Sequence, residues 1–180
     1  MLVEQTPVKD CLVLRPVVHG GYGADERGHF AELYQLERYH RAGIICEWVQ
    51  TNASKSQKNV IRGLHITHFE KLITCLRGSI LDVVVDCRND SPTFGKHVRV
   101  YIDAPNVQVY VPAGCAHGFL ALEDQSVVIY MQSGMYDPLT ERSIRWNDPD
   151  LNIPWPHAEE YIVSAKDQKA PLFKSLGGPE

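Results

Sequence analysis

The sequence predicts an all-β protein built as a β-sandwich or jelly roll, on three observations. Short runs rich in β-branched and aromatic residues recur about every 8–12 residues, and Gly or Pro separates most of them. The middle of the chain contains no long stretch of helical periodicity. Some runs are apolar at consecutive positions, such as Val83-Val84-Val85, which indicates strands that are buried on both faces.

The predicted elements follow one another with short connections. The predicted strands are residues 11–18, 29–34, 46–51, 60–67, 71–77, 79–86, 96–102, 108–111, 118–122 and 127–132. Pro16 favours an edge position for the first strand, because proline cannot donate to a sheet ladder. Residues 20–23 and 53–59 are predicted loops, and residues 36–42 are expected to form one or two helical turns. After Tyr136 the chain is rich in Pro, Asp and Trp, which predicts an irregular segment with short helices.

Length and composition limit the class of protein. A chain of 180 residues predicts one domain, residues 1–180. Eighteen Lys and Arg against 22 Asp and Glu give a net charge of −4, so we expect no nucleic-acid partner. No apolar stretch is long enough for a membrane helix, and the first residues show no secretion signal. The five cysteines form no CxxC pair, which predicts free thiols and a cytoplasmic protein.

Two segments carry most of the information about chemistry. The first is Arg62-Gly63-Leu64-His65-Ile66-Thr67-His68-Phe69-Glu70-Lys71, followed by Arg77-Gly78. The second is Pro112-Ala113-Gly114-Cys115-Ala116-His117-Gly118-Phe119. Together they resemble the two halves of the cupin signature, which belongs to a superfamily of jelly rolls. The resemblance implies a cupin-type jelly-roll β-sandwich with short helices, most of them C-terminal.

Two positions depart from the metal-binding version of that signature. Thr67 stands where a second His ligand would be, and Lys71 stands where a Glu ligand would be. An ammonium group has no lone pair to donate and repels a cation, so we expect no metal and no other cofactor. His68 could complete a metal site only through a strand bulge, because His65 and His68 point to opposite faces of a regular strand.

The remaining groups suit proton transfer next to a carbonyl. A neutral His accepts a proton near pH 7, a nearby Lys stabilises an oxyanion, and a Tyr donates a proton. A base on one face of a carbon and an acid on the other invert that centre, which is an epimerisation and needs no redox cofactor.

The chain from about residue 11 to residue 172 resembles the dTDP-4-dehydrorhamnose 3,5-epimerase family, which acts on nucleotide-linked 4-keto-6-deoxy sugars. Beyond Arg62-Gly63-Leu64-His65 and Ala116-His117-Gly118-Phe119, the motifs that carry the resemblance are Asp25-Glu26-Arg27-Gly28, Val49-Gln50-Thr51-Asn52-Ala53-Ser54-Lys55-Ser56, Asp82-Val83-Val84-Val85-Asp86, Ser91-Pro92-Thr93-Phe94-Gly95-Lys96, Ile144-Arg145-Trp146-Asn147-Asp148-Pro149 and Ser164-Ala165-Lys166-Asp167. Motifs in the same order over nearly the whole chain make the match specific.

The resemblance implies four catalytic residues. His65 would remove the protons at C3 and C5, and Asp167 would accept a hydrogen bond from the other ring nitrogen of His65. Tyr130 would donate a proton on the opposite face of the sugar. Lys71 would stabilise the enolate oxygen at C4.

The resemblance also implies the residues that bind the substrate, a nucleotide-diphosphate sugar. His117 would shape the sugar pocket, and Tyr136 would lie near the base of the nucleotide. The residues matching positions that hold the diphosphate and base are Arg27, Glu32, Gln50, Asn52, Arg62, Glu141 and Lys166. An Arg fork suits a pyrophosphate because it donates two bonds to phosphate oxygens. The resemblance further implies a homodimer, in which residues 27–32 of one chain reach the pocket of the other.

Several departures from the family pattern leave the exact reaction open. Thr67 replaces an amide residue, Met131 replaces a Lys, and Met135-Tyr136 replaces a Tyr pair. Met lacks the flat face that would lie against thymine, so the base could belong to dTDP, GDP or CDP. Epimerisation could involve both C3 and C5 or C3 alone. The alternatives are a nucleotide-sugar 3,4-ketoisomerase, a metal-dependent cupin oxygenase and a sugar-binding cupin without activity.

Overall fold

The computed structural model describes residues 1–19, 30–103 and 105–177, and its elements are mostly short strands. The strands are β1 (Leu2–Gln5), β2 (Leu12–Arg15), β3 (Val17–His19), β4 (Phe30–Glu32), β5 (Gln50–Ser56), β6 (Val60–Ile66), β7 (Lys71–Arg77), β8 (Ile80–Asp86), β9 (His97–Ile102), β10 (Gln108–Val111), β11 (Cys115–Ala121), β12 (Ser126–Gln132), β13 (Arg142–Ser143) and β14 (Ile162–Val163). The helices are α1 (Leu36–Arg41), α2 (Ala165–Gln168) and a 3₁₀ turn, Phe173–Leu176. The predicted loop at residues 20–23 lies outside the described residues.

The long strands form two sheets. The first has the order β1-β2-β10-β7-β12-β5, and the second has the order β13-β6-β11-β8-β9. All pairings within these two orders are antiparallel, and β14 adds to β6 as a short parallel strand. Strands β3 and β4 pair separately as a two-stranded ribbon.

The two sheets face one another across a shared apolar core. Ile73 and Val128 come from the first sheet, and Val84 and Phe119 come from the second, in one cluster of buried side chains. Burial of alternate residues on the inner face of each strand is what holds a sandwich together. The predicted all-β sandwich is therefore confirmed.

The outer face of each sheet is covered as well. Tyr39 of α1 packs with Leu14 and Leu72 on the first sheet. The irregular C-terminal segment packs Ile153 and other side chains against Leu64 and the rest of the outer face of the second sheet. Because both faces are covered, all seven residues of β8 are buried, as its continuous apolar run predicted.

The structure differs from the sequence prediction at several strands: β1, β13 and β14 were not predicted, and two predicted strands differ from what was expected. Residues 46–51 were predicted as a strand and 53–59 as a loop, whereas the strand is β5, Gln50–Ser56. Six of its seven residues are polar, and they alternate between more and less exposed positions at a sheet edge, so an apolar pattern could not reveal the strand. The predicted edge position of residues 11–18 is also wrong. Strand β1 covers β2, and Pro16 lies just beyond the end of β2, where it interrupts no ladder.

Within the described residues, no helix has the length and apolar character needed to cross a membrane.

Candidate active site

A cavity of about 650 Å³ lies at one end of the sandwich, where polar side chains replace the apolar core between the sheets. Strand alternation explains this change, because residues two apart share a face. In β7 the inward positions are Lys71, Ile73 and Cys75, and only Lys71 reaches the cavity. The cavity wall contains these predicted site residues: Asn52, Arg62, His65, Lys71, His117, Tyr130, Tyr136, Glu141, Lys166 and Asp167.

His65 forms a hydrogen-bonded pair with a carboxylate. Its Nε2 lies 2.8 Å from Oδ1 of Asp167, and the backbone N–H of Gly63 donates to Oδ2 at 3.4 Å. Strand β14 pairs with β6 and brings helix α2, which carries Asp167, against His65. Ser164 caps that helix by accepting a hydrogen bond from the backbone N–H of Asp167.

The electrostatics of this pair favour an ionised carboxylate. Burial raises the pKa of Asp167, but the hydrogen bond from His65, the charge of His65 and the N–H of Gly63 outweigh it and hold the pKa below its usual value. An ionised Asp167 accepts the proton of Nε2, so Nδ1 is the nitrogen left to act as a base. Oε1 of Glu141 lies 3.6 Å from Nδ1.

A second pair joins His117 to Asp82. Nε2 of His117 lies 2.7 Å from Oδ1 of Asp82, and both residues are buried. His117 and His65 stand opposite one another in the pairing of β11 with β6, so the two rings are neighbours on the inner face. No role was predicted for Asp82 from the sequence. The available signal was an acid in the interior of β8, whose other residues are apolar except for Asp86 at its end.

Tyr130 approaches the cavity from the opposite sheet. Its hydroxyl lies 2.9 Å from the hydroxyl of Ser54, a residue to which sequence analysis gave no role. Its ring meets that of His117 edge to face, with centroids 6.2 Å apart. Burial raises the pKa of Tyr130 well above its usual value, so the phenol keeps its proton at neutral pH.

Lys71 is buried, with 5% of its surface exposed. Burial lowers the pKa of Lys71 to about 8, against the opposing effects of the charges on Glu141 and Asp82. No carboxylate of the described residues lies within ion-pair distance of its ammonium group. The group can therefore serve a bound anion or carbonyl oxygen.

A ring of polar contacts surrounds the mouth of the cavity. Glu141 accepts a hydrogen bond from Lys166, which raises the pKa of that lysine. Gln50 lies outside the wall, but its Oε1 accepts from the backbone N–H of Tyr136 at 2.9 Å. Its Nε2 donates to Asn52 at 3.0 Å, and Asn52 in turn donates at 3.2 Å to Gln132, which the sequence analysis missed.

Two of the cationic residues predicted to bind the diphosphate, Arg62 and Lys166, lie in the wall of the cavity. Arg62 is held by hydrogen bonds to the Ser56 hydroxyl at 3.0 Å and to the Lys55 carbonyl at 3.2 Å. Both partners are on β5, so the guanidinium is fixed at the edge of the first sheet.

Of the other residues singled out from the sequence, Glu32 lies outside this cavity, whereas Thr67 lines it. Glu32 lies on β4 and pairs with Arg38 at 3.0 Å, away from the wall. Arg27 lies outside the described residues. Thr67, at the position of a cupin ligand, donates its hydroxyl hydrogen to the carbonyl of Phe69. In the described part of the chain, no cluster of three His, Cys, Asp or Glu residues could hold a metal.

The fold is a cupin-like β-sandwich, and its cavity brings together groups that are suited to acid–base chemistry. His65 stands on the second sheet, with Asp167 of helix α2 against it. The protonated phenol of Tyr130 and the buried ammonium group of Lys71 stand on the first sheet, in the same cavity.

Comparison with known proteins identifies the family. A family model described as dTDP-4-dehydrorhamnose 3,5-epimerase matches residues 5–175. The dTDP-4-dehydrorhamnose 3,5-epimerase of Salmonella typhimurium is 43% identical over 179 residues, which cover 96% of each chain. A dTDP-4-dehydrorhamnose 3-epimerase of Streptomyces niveus is 39% identical over 156 residues, covering 83% of this chain and 75% of that protein.

A solved structure agrees with these matches. The dTDP-6-deoxy-D-glucose-3,5-epimerase of Legionella pneumophila, in complex with dTDP-4-keto-L-rhamnose, superposes with a TM-score of 0.91 at 37% identity. The match covers 99% of this chain and 98% of that one. The chain belongs to the dTDP-4-dehydrorhamnose 3,5-epimerase family and is a carbohydrate epimerase of the isomerase class. The predicted family and enzyme class are confirmed.

Proposed function

We propose that this enzyme epimerises a dTDP-linked 4-keto-6-deoxy sugar at C3 and C5, with His65 as the base and Tyr130 as the acid. The observation that carries the proposal is the placement of these two residues on facing sheets around one cavity. A sugar ring between the sheets would present one face to each residue, as inversion of a carbon requires.

The proposed reaction consists of two proton transfers. Nδ1 of His65 takes the proton from C3 or C5, and the C–H electrons move into the carbonyl, which becomes an enolate with its negative charge on the oxygen at C4. The ammonium group of Lys71 stabilises that oxygen. Tyr130 then donates its phenolic proton to the same carbon from the other face. Solvent restores the proton of Tyr130 and removes the proton from His65.

The nucleotide is proposed on the chemistry of the cavity mouth and on the relatives. Arg62 and Lys166 place cationic groups in the wall, where a pyrophosphate needs them. The Legionella protein binds a dTDP sugar. Tyr136 lies in the same wall and offers a ring to the base. Gln50 and Asn52 are proposed to hold the nucleotide through the polar chain that ends at Gln132.

We further propose that residues 1–180 form one domain, that the enzyme is a cytoplasmic homodimer, and that Arg27 and Glu32 act in the partner's pocket. Glu32 lies on the β3–β4 ribbon, which is separate from both large sheets and holds Glu32 away from the cavity of its own chain. The five cysteines are free thiols, which is the state maintained in a reducing compartment. Analytical ultracentrifugation should give twice the chain mass, and a monomer with full activity would contradict the dimer.

The reaction is tested by NMR in D₂O with dTDP-4-keto-6-deoxyglucose. Deuterium should enter C3 and C5 with the wild-type enzyme. His65→Asn should abolish exchange at both carbons, while Tyr130→Phe should retain exchange and lose the inverted product. His40→Asn and Tyr161→Phe are matched controls, because neither residue lies in the cavity wall. Full exchange by His65→Asn would rule out this base.

The same spectra separate the related reactions. Exchange at C3 alone would make the enzyme a 3-epimerase, the name that the Streptomyces niveus relative carries. Movement of the carbonyl to C3 would identify a ketoisomerase. If GDP- or CDP-linked substrates are turned over faster than the dTDP-linked one, the proposed nucleotide is wrong.

A further inference from the structure

Asp82 is a buried carboxylate with only half of its hydrogen-bonding capacity in use. Its surface is 1% exposed, and Oδ1 lies 2.7 Å from Nε2 of His117. Oδ2 is buried and has no hydrogen-bond partner among the described residues. An ionised carboxylate in such a place is costly unless positive charge nearby compensates it.

The groups that face Asp82 come from three directions. His117 lies on the neighbouring strand β11. Lys71 stands on the opposite sheet, and its ammonium group is stabilised by the charge of Asp82. The charge of Asp82 also contributes to the raised pKa values of Tyr130, Cys75 and Cys11. Of these groups, Lys71 and His117 are the ones that can carry a compensating positive charge.

Lys71 faces a second carboxylate as well. Glu141 acts on Lys71 more strongly than Asp82 does, but Glu141 is also bound to Lys166. The other titratable groups in the wall around Lys71 are Arg62, His65, His117, Tyr130, Tyr136, Lys166 and Asp167. Asp82 is therefore the fully buried anion that is shared by Lys71 and His117.

We propose that Asp82 is a positioning residue for the epimerisation: it fixes His117 with its proton on Nε2 and keeps Lys71 in the ammonium form that the C4 oxygen needs. This role rests on the proposed function, since it acts through Lys71. It leaves Nδ1 of His117 as the ring nitrogen available to the bound sugar. The two carboxylates thus have separate roles. Asp167 orients the base, His65, whereas Asp82 orients His117 and keeps Lys71 charged next to the C4 oxygen.

The test is the pH profile of kcat/KM for Asp82→Asn, which keeps the shape of the side chain and removes its charge. We expect kcat/KM at pH 7 to fall about 10- to 100-fold, as is common for residues that orient functional groups. Loss of the anion also lowers the pKa of Lys71, so the alkaline limb of the profile should move to lower pH.

A matched control separates charge from folding. Asp86 lies on the same strand, is equally buried, and is held by Arg88, Ser91 and Thr93 outside the cavity. Asp86→Asn should reduce stability without moving the alkaline limb. In a Lys71→Met background, Asp82→Asn should cost less than in the wild type, because the part of its effect that acts through Lys71 is gone and only the part through His117 remains.

The outcomes distinguish a failure of the proposed function from a failure of the role assigned to Asp82. If the wild type shows no deuterium exchange, the proposed function fails. If the wild type exchanges but Asp82→Asn leaves the alkaline limb in place, Asp82 has no such role. If Asp82→Asn does not fold, ¹⁵N NMR of the wild-type imidazole, assigned by loss of the signal in His117→Gln, decides. A proton on Nε2 supports the proposal, and a proton on Nδ1 with bare Nε2 overturns it.

Discussion

Replacing Lys71 by Met removes a buried ammonium group from the cavity, and we expect the protein to become more stable while it loses activity. Burial lowers the pKa of Lys71 from 10.5 to about 8. At about 1.4 kcal/mol per pKa unit, the charged form costs the folded protein about 3 kcal/mol relative to the neutral form. Removing the charge also leaves Asp82 and Glu141 less compensated, so we expect a net gain of about 1–3 kcal/mol at pH 7.

The stability gained by Lys71→Met should depend on pH in a defined direction. Below pH 8 the lysine is protonated in both the folded and the unfolded chain, and the full cost is present. Between pH 8 and 10.5 the folded chain loses the proton first, so the cost disappears and wild-type stability rises relative to the variant. The gain from Lys71→Met should therefore shrink steadily over that range.

Urea unfolding at several pH values between 7 and 10 measures this effect. Lys58→Met is the control, because Lys58 is exposed and lies outside the cavity wall, and it should change stability by less than about 0.5 kcal/mol. Epimerisation by Lys71→Met should fall about 10²- to 10³-fold, as for the loss of one donor to an oxyanion. A variant that is less stable than the wild type at pH 7, or a gain independent of pH, would refute the reasoning.

Two further predictions concern Asp167, the carboxylate partner of His65, and the turn at Gly78. Asp167→Asn should lower kcat by about 10⁴-fold with little change in KM, because the amide no longer fixes the tautomer of His65; a loss below tenfold in steady-state assays would contradict this. Gly78→Ala should destabilise by about 1–3 kcal/mol in urea unfolding, because φ is +73° and a Cβ would lie 3.0 Å from Cα of Ser126. Gly43→Ala, with φ of +86° and open space around it, is the control and should cost clearly less.

The apolar strands were predictable because burial imposes a pattern that the sequence displays. Residues 71–77 and 108–111 were predicted as strands with the bounds that β7 and β10 have. These strands cross the core, and their alternating or continuous apolar residues indicate that they are buried there. Strand β5 was misplaced because its inward side chains face the cavity and are polar.

Site residues could be assigned roles from the sequence only through their positions in family motifs. His65 and Asp167 are 102 positions apart, and nothing local in the sequence shows that β14 brings helix α2 against β6. The resemblance connected them, whereas Asp82, Ser54 and Gln132 carried no assigned role. Their contacts depend on strand register and on the facing of two sheets, which three-dimensional structure alone supplies.

The central claim is that a base on one sheet and an acid on the other invert carbons next to a carbonyl. The most direct test is NMR in D₂O of the wild type, His65→Asn and Tyr130→Phe with dTDP-4-keto-6-deoxyglucose. We predict deuterium at C3 and C5 with inversion for the wild type, no exchange for His65→Asn, and exchange without inversion for Tyr130→Phe. Inversion by Tyr130→Phe at the wild-type rate, or exchange by His65→Asn, would contradict the assignment of acid and base to the two sheets.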